Sequence, residues 1–377
     1  RPIRGNPGIP LAGYGANAFL KAHIDSAALA FVLRHRRDSS NLNNRDFYRS
    51  KPGGLIWSRD SRRDAEAGDR TGENLALCIC IIVAVKKRAS EEVMDIGIFV
   101  FESDSSLDPA VLARRAEELG FESFWVPEHP VIPLQTSSPY PSSPDGIIPD
   151  VYGRIVDPFV ALSRASAVTS TIKLGTGICL VPERNPLLLA KEIATLDLYS
   201  EGRFIFGIGA GWLKEETEIM GGDFPHRWTQ TKDAILAMKE LWTKDEAEYH
   251  GTHYDFPPVR SFPKPVQKPH PPVFLGGKAL NAFKRVVEWG DGWMPNHASV
   301  EEIRQGRETL NRLAKEAGRD PSTIQVMAFG MSGQYRDREA IKDLEQAGAS
   351  RVTIWLDDTE KSGALREIEE IARQVLD

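Results

Sequence analysis

Two adjacent side chains able to exchange a proton, Glu128 and His129, stand in the segment Trp125-Val126-Pro127-Glu128-His129. Imidazole is the side chain whose ordinary pKa lets it give or take a proton near neutrality, and a neighbouring carboxylate can orient or share that proton. The bland alternative for His129 is a loop histidine that caps a turn. Three glycine-bearing segments could hold a ligand beside it. In Gly175-Thr176-Gly177-Ile178-Cys179, two glycines interrupt an apolar run, which indicates a β-bulge, a close approach of backbone to ligand, or a tight barrel corner. Gly207-Ile208-Gly209-Ala210-Gly211-Trp212 departs from the dinucleotide fingerprint because Trp212 stands where the third glycine belongs. Glycines next to a flat aromatic suit a backbone shelf for a planar ligand better. Leu275-Gly276-Gly277-Lys278 precedes a helix, whose N–H groups and dipole favour an anion such as a ligand phosphate; the alternative is a plain tight turn. It is not a P-loop, since Pro272 and Ala279 occupy the first glycine and the Ser/Thr positions.

Other chemistries find little support. Cys179 has no evident base beside it and reads as a small core residue. His250 and His253 sit in a turn-like context without the glutamate and helix of a zinc protease, so no metal site is expected. A GxSxG nucleophile elbow is absent.

The elements that must position these residues begin at Met94, where short β-rich runs alternate with amphipathic helices. Strands are expected at 94–101, 122–126, 172–181, 203–209, 272–275, 292–294, 323–329 and 351–355. Helices are expected from Asp108 as N-cap to Gly120, after Asp157-Pro158, and over 186–199, 227–242, 279–289, 300–317 and 338–347, with a closing helix that holds 368–376. Pro- and aromatic-rich loops at 130–150 and 248–271 interrupt the rhythm and read as lids over an apolar pocket. Eight strands and eight helices in βα order give an α/β fold, a (β/α)8 TIM barrel with loop insertions, and the 284 residues from 94 to 377 suit one. An open doubly wound sheet is the competing arrangement. In a barrel, the strand C-terminal ends carry the chemistry, and the four segments above all lie there.

Residues 1–93 differ in kind. They carry 16 Lys+Arg and 10 Asp+Glu, a charge of +6, against 31 and 43, a charge of −12, from Met94 onward. They lack a sustained hydrophobic period, and we read them as a non-domain N-terminal extension, from translation begun upstream of Met94 or from a disordered leader. Their arginines are not gathered on one helix face, which argues against a nucleic-acid partner. The longest apolar run, 75–85, is about half of the ~20 residues a membrane span needs, so no membrane partner is expected either. Three scattered cysteines fit a reducing compartment and a cytoplasmic location.

Taken together, 121–129 (FESFWVPEH), 174–204, GIGAGW (207–212), the 227–242 helix, PPVFLGG (271–277) and DGWMP (291–295) resemble the luciferase-like monooxygenase superfamily, most closely its coenzyme F420-dependent oxidoreductase branch. The resemblance covers 94–377 and none of 1–93. It implies hydride transfer between a deazaflavin, coenzyme F420, and a small organic substrate, with His129, and Glu128 before it, near the reactive edge of the ring. Related deazaflavin enzymes often carry Asp-His there, so Glu128 is a departure. A non-prolyl cis peptide at Gly177-Ile178 would support the ring, Gly209, Gly211 and Trp212 would line its side, and Gly276, Gly277 and Lys278 would hold its phosphate. The resemblance also allows FMN as cofactor, with dioxygen and a separate reductase, and a homodimer. A non-catalytic flavin-binding barrel is the reading from another class.

Overall fold

The computed structural model describes residues 94–376, so the reading of 1–93 lies outside the described residues. In chain order the elements are β1 (Asp95–Val100), α1 (Pro109–Leu119), β2 (Ser123–Val126), α2 (Pro158–Ser166), β3 (Lys173–Thr176), β4 (Cys179–Leu180), α3 (Pro186–Tyr199), β5 (Phe204–Gly209), α4 (Lys214–Ile219), α5 (Arg227–Thr243), β6 (Ala247–His250), β7 (Asp255–Val259), β8 (Val273–Leu275), α6 (Leu280–Trp289), β9 (Gly292–Trp293), α7 (Val300–Glu316), β10 (Gln325–Phe329), α8 (Arg338–Gln346), β11 (Arg351–Leu356) and α9 (Lys361–Val375). The helices start where short polar side chains can hold their first N–H groups. Asp108 accepts from Ala110 N at 2.9 Å, with Pro109 at the first position, and Ser299 and Glu302 form a reciprocal capping box on α7.

Parallel pairing runs β3-β2-β1-β11-β10-β9-β8-β5, and a further β3–β5 pairing closes the ring into a (β/α)8 barrel. Closure carries a slip. Gly175 pairs with Ile205, an offset of 205 − 175 = 30, whereas Cys179 on β4 pairs with Ile208, an offset of 208 − 179 = 29. One extra residue therefore bulges between β3 and β4, where a single strand was expected at 172–181, and the cis peptide Gly177-Ile178 lies in that interruption.

Strand alternation divides the apolar side chains into two layers. Ile98, Val100, Phe124 and Leu174 face outward onto the helices, while Phe99, Trp125, Ile205, Phe274, Met327 and Phe329 fill the barrel. Interior space is tight, since a Cβ at Gly175 would stand 2.2 Å from the Trp125 ring. Near the strand N-terminal ends, Arg351, 2% exposed, donates to Glu122 at 2.8 and 2.9 Å and to Asp95 at 2.9 Å.

Two expectations need correction. The 248–271 excursion is not a lid: it folds as the antiparallel β6–β7 hairpin, and its return segment packs at the N-terminal ends of the strands, where Gln267 Nε2 bonds Phe204 O at 2.7 Å and Asp197 at 2.6 Å. The short helix α4 was not anticipated, because six residues, KEETEI, are too few to display a period. No helix among the described residues is long and apolar enough to cross a membrane.

The Arg351 cluster sets a pH dependence. Burial pushes the Glu122 carboxyl up, but the pairing with Arg351 outweighs it and holds the group at about 2, while burial and the nearby Glu122 push Asp95 up. A carboxyl depressed on folding stabilises above its unfolded pKa, near 4.5 here, and loses that contribution as pH falls toward 2. Arg351→Ala leaves Glu122 with Lys173 as its remaining cation and Asp95 partly open to solvent, and is expected to cost about 1–3 kcal/mol by urea unfolding at pH 7. The cost should shrink below pH 4, where Glu122 can take up a proton in the variant.

Candidate active site

A cavity of about 280 Å³ opens at the strand C-terminal ends, and each of the eight barrel strands contributes to its wall. Phe99 and Phe101 come from β1, Pro127 to His129 follow β2, and Gly177, Ile178 and Leu180 come from the β3–β4 bulge. Gly209 to Trp212 end β5, Gly276 and Gly277 follow β8, and Met294, Phe329 and Trp355 complete the ring. The loop after β2 adds Tyr140, Pro141, Ser142 and Tyr152, so the first of the two expected lids does border the cavity. Trp228, second in α5, closes one side.

His129 is the ionisable centre of this wall. Its Nδ1 lies 2.6 Å from Glu216 Oε2, and the two side chains are 7% and 1% exposed. An ionised carboxylate only accepts, so Glu216 fixes the proton on Nδ1 and leaves Nε2 to a ligand. The ring stands 5.1 Å from Tyr152 and 5.9 Å from Trp212, and the Tyr140 and Tyr152 hydroxyls are 2.8 Å apart. Burial, with the Tyr140 bond, pushes the Tyr152 hydroxyl far up and keeps it protonated.

The glycines divide by physical role. A Cβ at Gly209 would stand 1.8 Å from Ile178 Cδ1, so this glycine seats the isoleucine that forms the back of the cavity. Gly211, at φ 80°, turns the chain from β5 into α4, and a Cβ there would come within 2.9 Å of Thr217 Oγ1. Gly277 has φ 96°, a Cβ at Gly276 would meet Met294 O at 3.7 Å, and the helix they precede, α6, has Ala279 at its N-cap without a capping side chain. Its first N–H groups are therefore free of side-chain acceptors and can meet an anion.

Several expected site residues stand elsewhere or do something else. Glu128 borders the cavity, but its side chain is 2% exposed and both oxygens are taken: Leu180 N donates at 2.6 Å and Arg184 Nε at 2.6 Å. It locks the β4 bulge to Arg184, a structural use of the carboxylate in place of the expected role as a proton carrier. Lys278 does not line the cavity; its ammonium bonds His297 O at 2.8 Å and Glu302 at 2.9 Å. Cys179 is buried, and burial with the nearby Glu128 pushes its thiol well up, as suits a core residue. His250 pairs with Asp255 on the β6–β7 hairpin, away from the cavity.

Sequence reasoning missed Glu216, which reads in KEETEI as part of a solvated charge run. It also missed Glu183, a second carboxylate on the same side. Glu183 is 4% exposed, accepts from Thr217 Oγ1 at 2.9 Å and leaves Oε2 without a partner among the described residues. Burial, and then repulsion from Glu216, pushes its carboxyl up to about 8. A carboxyl raised on folding contributes stability below its unfolded pKa and loses it as pH rises through the folded value. Glu183→Gln, a neutral isostere, should therefore match the parent in thermal stability near pH 5 and exceed it near pH 9, as read from melting temperatures across that range. A constant difference at every pH would contradict the assignment.

Comparison with known proteins agrees with this geometry. The family model described as luciferase-like monooxygenase matches residues 102–375. An uncharacterized protein of Mycobacterium tuberculosis (strain H37Rv) is 36% identical over 284 residues, 75% of this chain and 99% of the relative. The FMNH(2)-dependent dimethylsulfone monooxygenase of Pseudomonas putida is 33% identical over 163 residues, covering 42% of this chain and 45% of its own. Among solved structures, the coenzyme F420 dependent tetrahydromethanopterin reductase from Methanopyrus kandleri superposes with a TM-score of 0.58 at 20% identity, over 75% of this chain and 98% of that one. A barrel whose eight strand ends converge on one cavity, matched by the family model over most of its length, places this chain in the luciferase-like monooxygenase family.

Proposed function

We propose that this chain is an oxidoreductase that binds coenzyme F420 in the strand-end cavity and transfers hydride between it and a small, uncharged organic substrate. The observation that carries this reading is the His129–Glu216 pair on the wall of an otherwise aromatic and glycine-lined cavity. No Lys, Arg or Asp lines the cavity among the described residues, and the one lining carboxylate, Glu128, is bonded to Arg184, so the wall favours an uncharged substrate.

The residues present fit a planar cofactor with a phosphate-bearing side-arm. Ile178, seated on Gly209, offers a flat apolar back, and Gly211 and Trp212 border the side. Gly276, Gly277 and the uncapped start of α6 offer backbone N–H groups to a phosphate. When bound, a deazaflavin supplies a two-electron hydride carrier, the hard chemistry that no side chain here provides. The chain's own contribution is orientation, exclusion of water by Tyr140, Tyr152 and Trp355, and a proton held or released at His129 Nε2. Glu216 keeps the imidazole in one tautomer, with Nε2 turned to the cavity side.

The Pseudomonas putida relative is named as FMNH(2)-dependent and the Methanopyrus kandleri neighbour as F420-dependent, so both cofactors belong in the test. With reduced FMN the same cavity would serve a monooxygenase, and a separate reductase would be its partner. Titration with oxidised and reduced coenzyme F420 and FMN is expected to give saturable binding of F420 in preference to FMN. Binding of neither would overturn the proposal. His129→Ala is expected to leave cofactor affinity unchanged and to lower kcat/KM about 10²–10⁴-fold against a panel of small alcohols and carbonyl compounds. Binding without substrate-dependent turnover in the parent would instead favour the non-catalytic flavin-binding barrel. Glu216→Gln should lower kcat/KM while leaving cofactor affinity unchanged, since an amide can donate as well as accept and no longer fixes the proton on His129 Nδ1.

A further inference from the structure

Trp228 faces the cavity, and the guanidinium of Arg285, on α6, lies over its ring with Cζ 4.3 Å from the centroid. Arg285 is half-buried, yet it donates no hydrogen bond and enters no ion pair among the described residues. Every other arginine among the described residues that is not exposed donates at least one side-chain hydrogen bond to a carboxylate or a carbonyl. A guanidinium carries five N–H donors in a fixed fork, and at a half-buried position an unfilled fork is the anomaly.

The charge around Arg285 points the same way. Arg227 lies close enough that its charge lowers the Arg285 pKa, after the larger effect of burial, and Arg227 itself bonds only the carbonyls of Gly211 and Phe224. Two guanidiniums thus stand together without a carboxylate, on the flank of the helix whose start adjoins Gly276 and Gly277.

We infer that Arg285, stacked on the cavity-lining Trp228 and reinforced by the charge of Arg227, is an anion site beside that wall of the cavity that takes the ionised side-arm of the bound cofactor as it leaves the cavity. The inference rests on the reading that a deazaflavin or flavin occupies the cavity. The chemistry required is an oxyanion, phosphate or carboxylate, with two oxygens placed to accept two parallel N–H bonds. In FMN that group is the terminal phosphate; in coenzyme F420 it is the phosphate or the glutamate carboxylates beyond it.

The test is a fluorescence titration of the parent and of Arg285→Met, which keeps the packing on Trp228 without the charge. The ligands are FMN, riboflavin, coenzyme F420 with few and with many glutamates, and its phosphate-free chromophore, each at low and high salt. The variant is expected to bind the phosphate-bearing ligands about tenfold more weakly, with a shallower salt dependence, and the phosphate-free ones as the parent does. An equal loss for all phosphate-bearing ligands assigns the site to the phosphate, and a loss that grows with glutamate number assigns it to the tail. Arg285→Lys should recover part of the affinity, and unchanged melting temperatures would confirm folded variants. If Arg285→Met binds F420 and FMN as tightly as the parent, the anion site is wrong while the cofactor reading stands. If the parent binds none of the chromophores, both fall together.

Discussion

The Ile178 side chain occupies the place where a Cβ at position 209 would stand, 1.8 Å from its Cδ1, and the cavity is organised around that contact. Closing eight strands into a ring leaves little interior room, and this barrel admits Trp125, Phe274 and Phe329 by keeping glycine opposite them. The one-residue bulge between β3 and β4 turns Ile178 onto Gly209 and brings Leu180 N to Glu128. Glu128 in turn holds Arg184, which also bonds Asp157 at the start of α2 and Glu192 on α3. The back of the cavity and the outer helices are thus tied to one irregularity in one strand.

Polar groups follow the same economy. Charges inside the barrel are gathered at its two ends: Arg351 with Glu122 and Asp95 at the strand N-terminal ends, and His129, Glu216 and Glu183 near the C-terminal ends. Between them lies an aromatic and aliphatic layer. A low-dielectric layer of this kind strengthens the His129–Glu216 interaction, and burial beside it, with repulsion from Glu216, pushes the Glu183 carboxyl up.

Much of this was legible along the chain. Asp108-Pro109, Asp157-Pro158 and the Ser299/Glu302 box mark helix starts by chemistry that acts over three or four residues, and those helices begin where that chemistry places them. Alternation of Ile98, Phe99, Val100 and Phe101 reports a strand with two buried faces, and βα order reports a barrel. Glycines at 177, 209, 211, 276 and 277 and the aromatic Trp212 stand on the cavity as their clustering at strand ends suggests. Glu128 and Lys278 misled for a common reason. Sequence gives a side chain's position along a strand end but not the partner that claims it, and both were claimed, by Arg184 and Leu180 N in one case and by Glu302 in the other.

The sequence by itself determined the elements, their order and the strand ends at which ligand-facing residues collect, because caps, turn glycines and hydrophobic periods are local. Only the tertiary structure decided which carboxylate serves His129. Glu128 is its covalent neighbour, yet Glu216 lies 87 residues away and reaches Nδ1 across the closed ring. The pairing of β3 with β5 set that contact, and the pairing of β5 with β8 placed the helices that carry Trp228 and Arg285 in succession around the ring. Proximity between residues far apart in the chain is fixed by the ring's register, a property that no local pattern encodes.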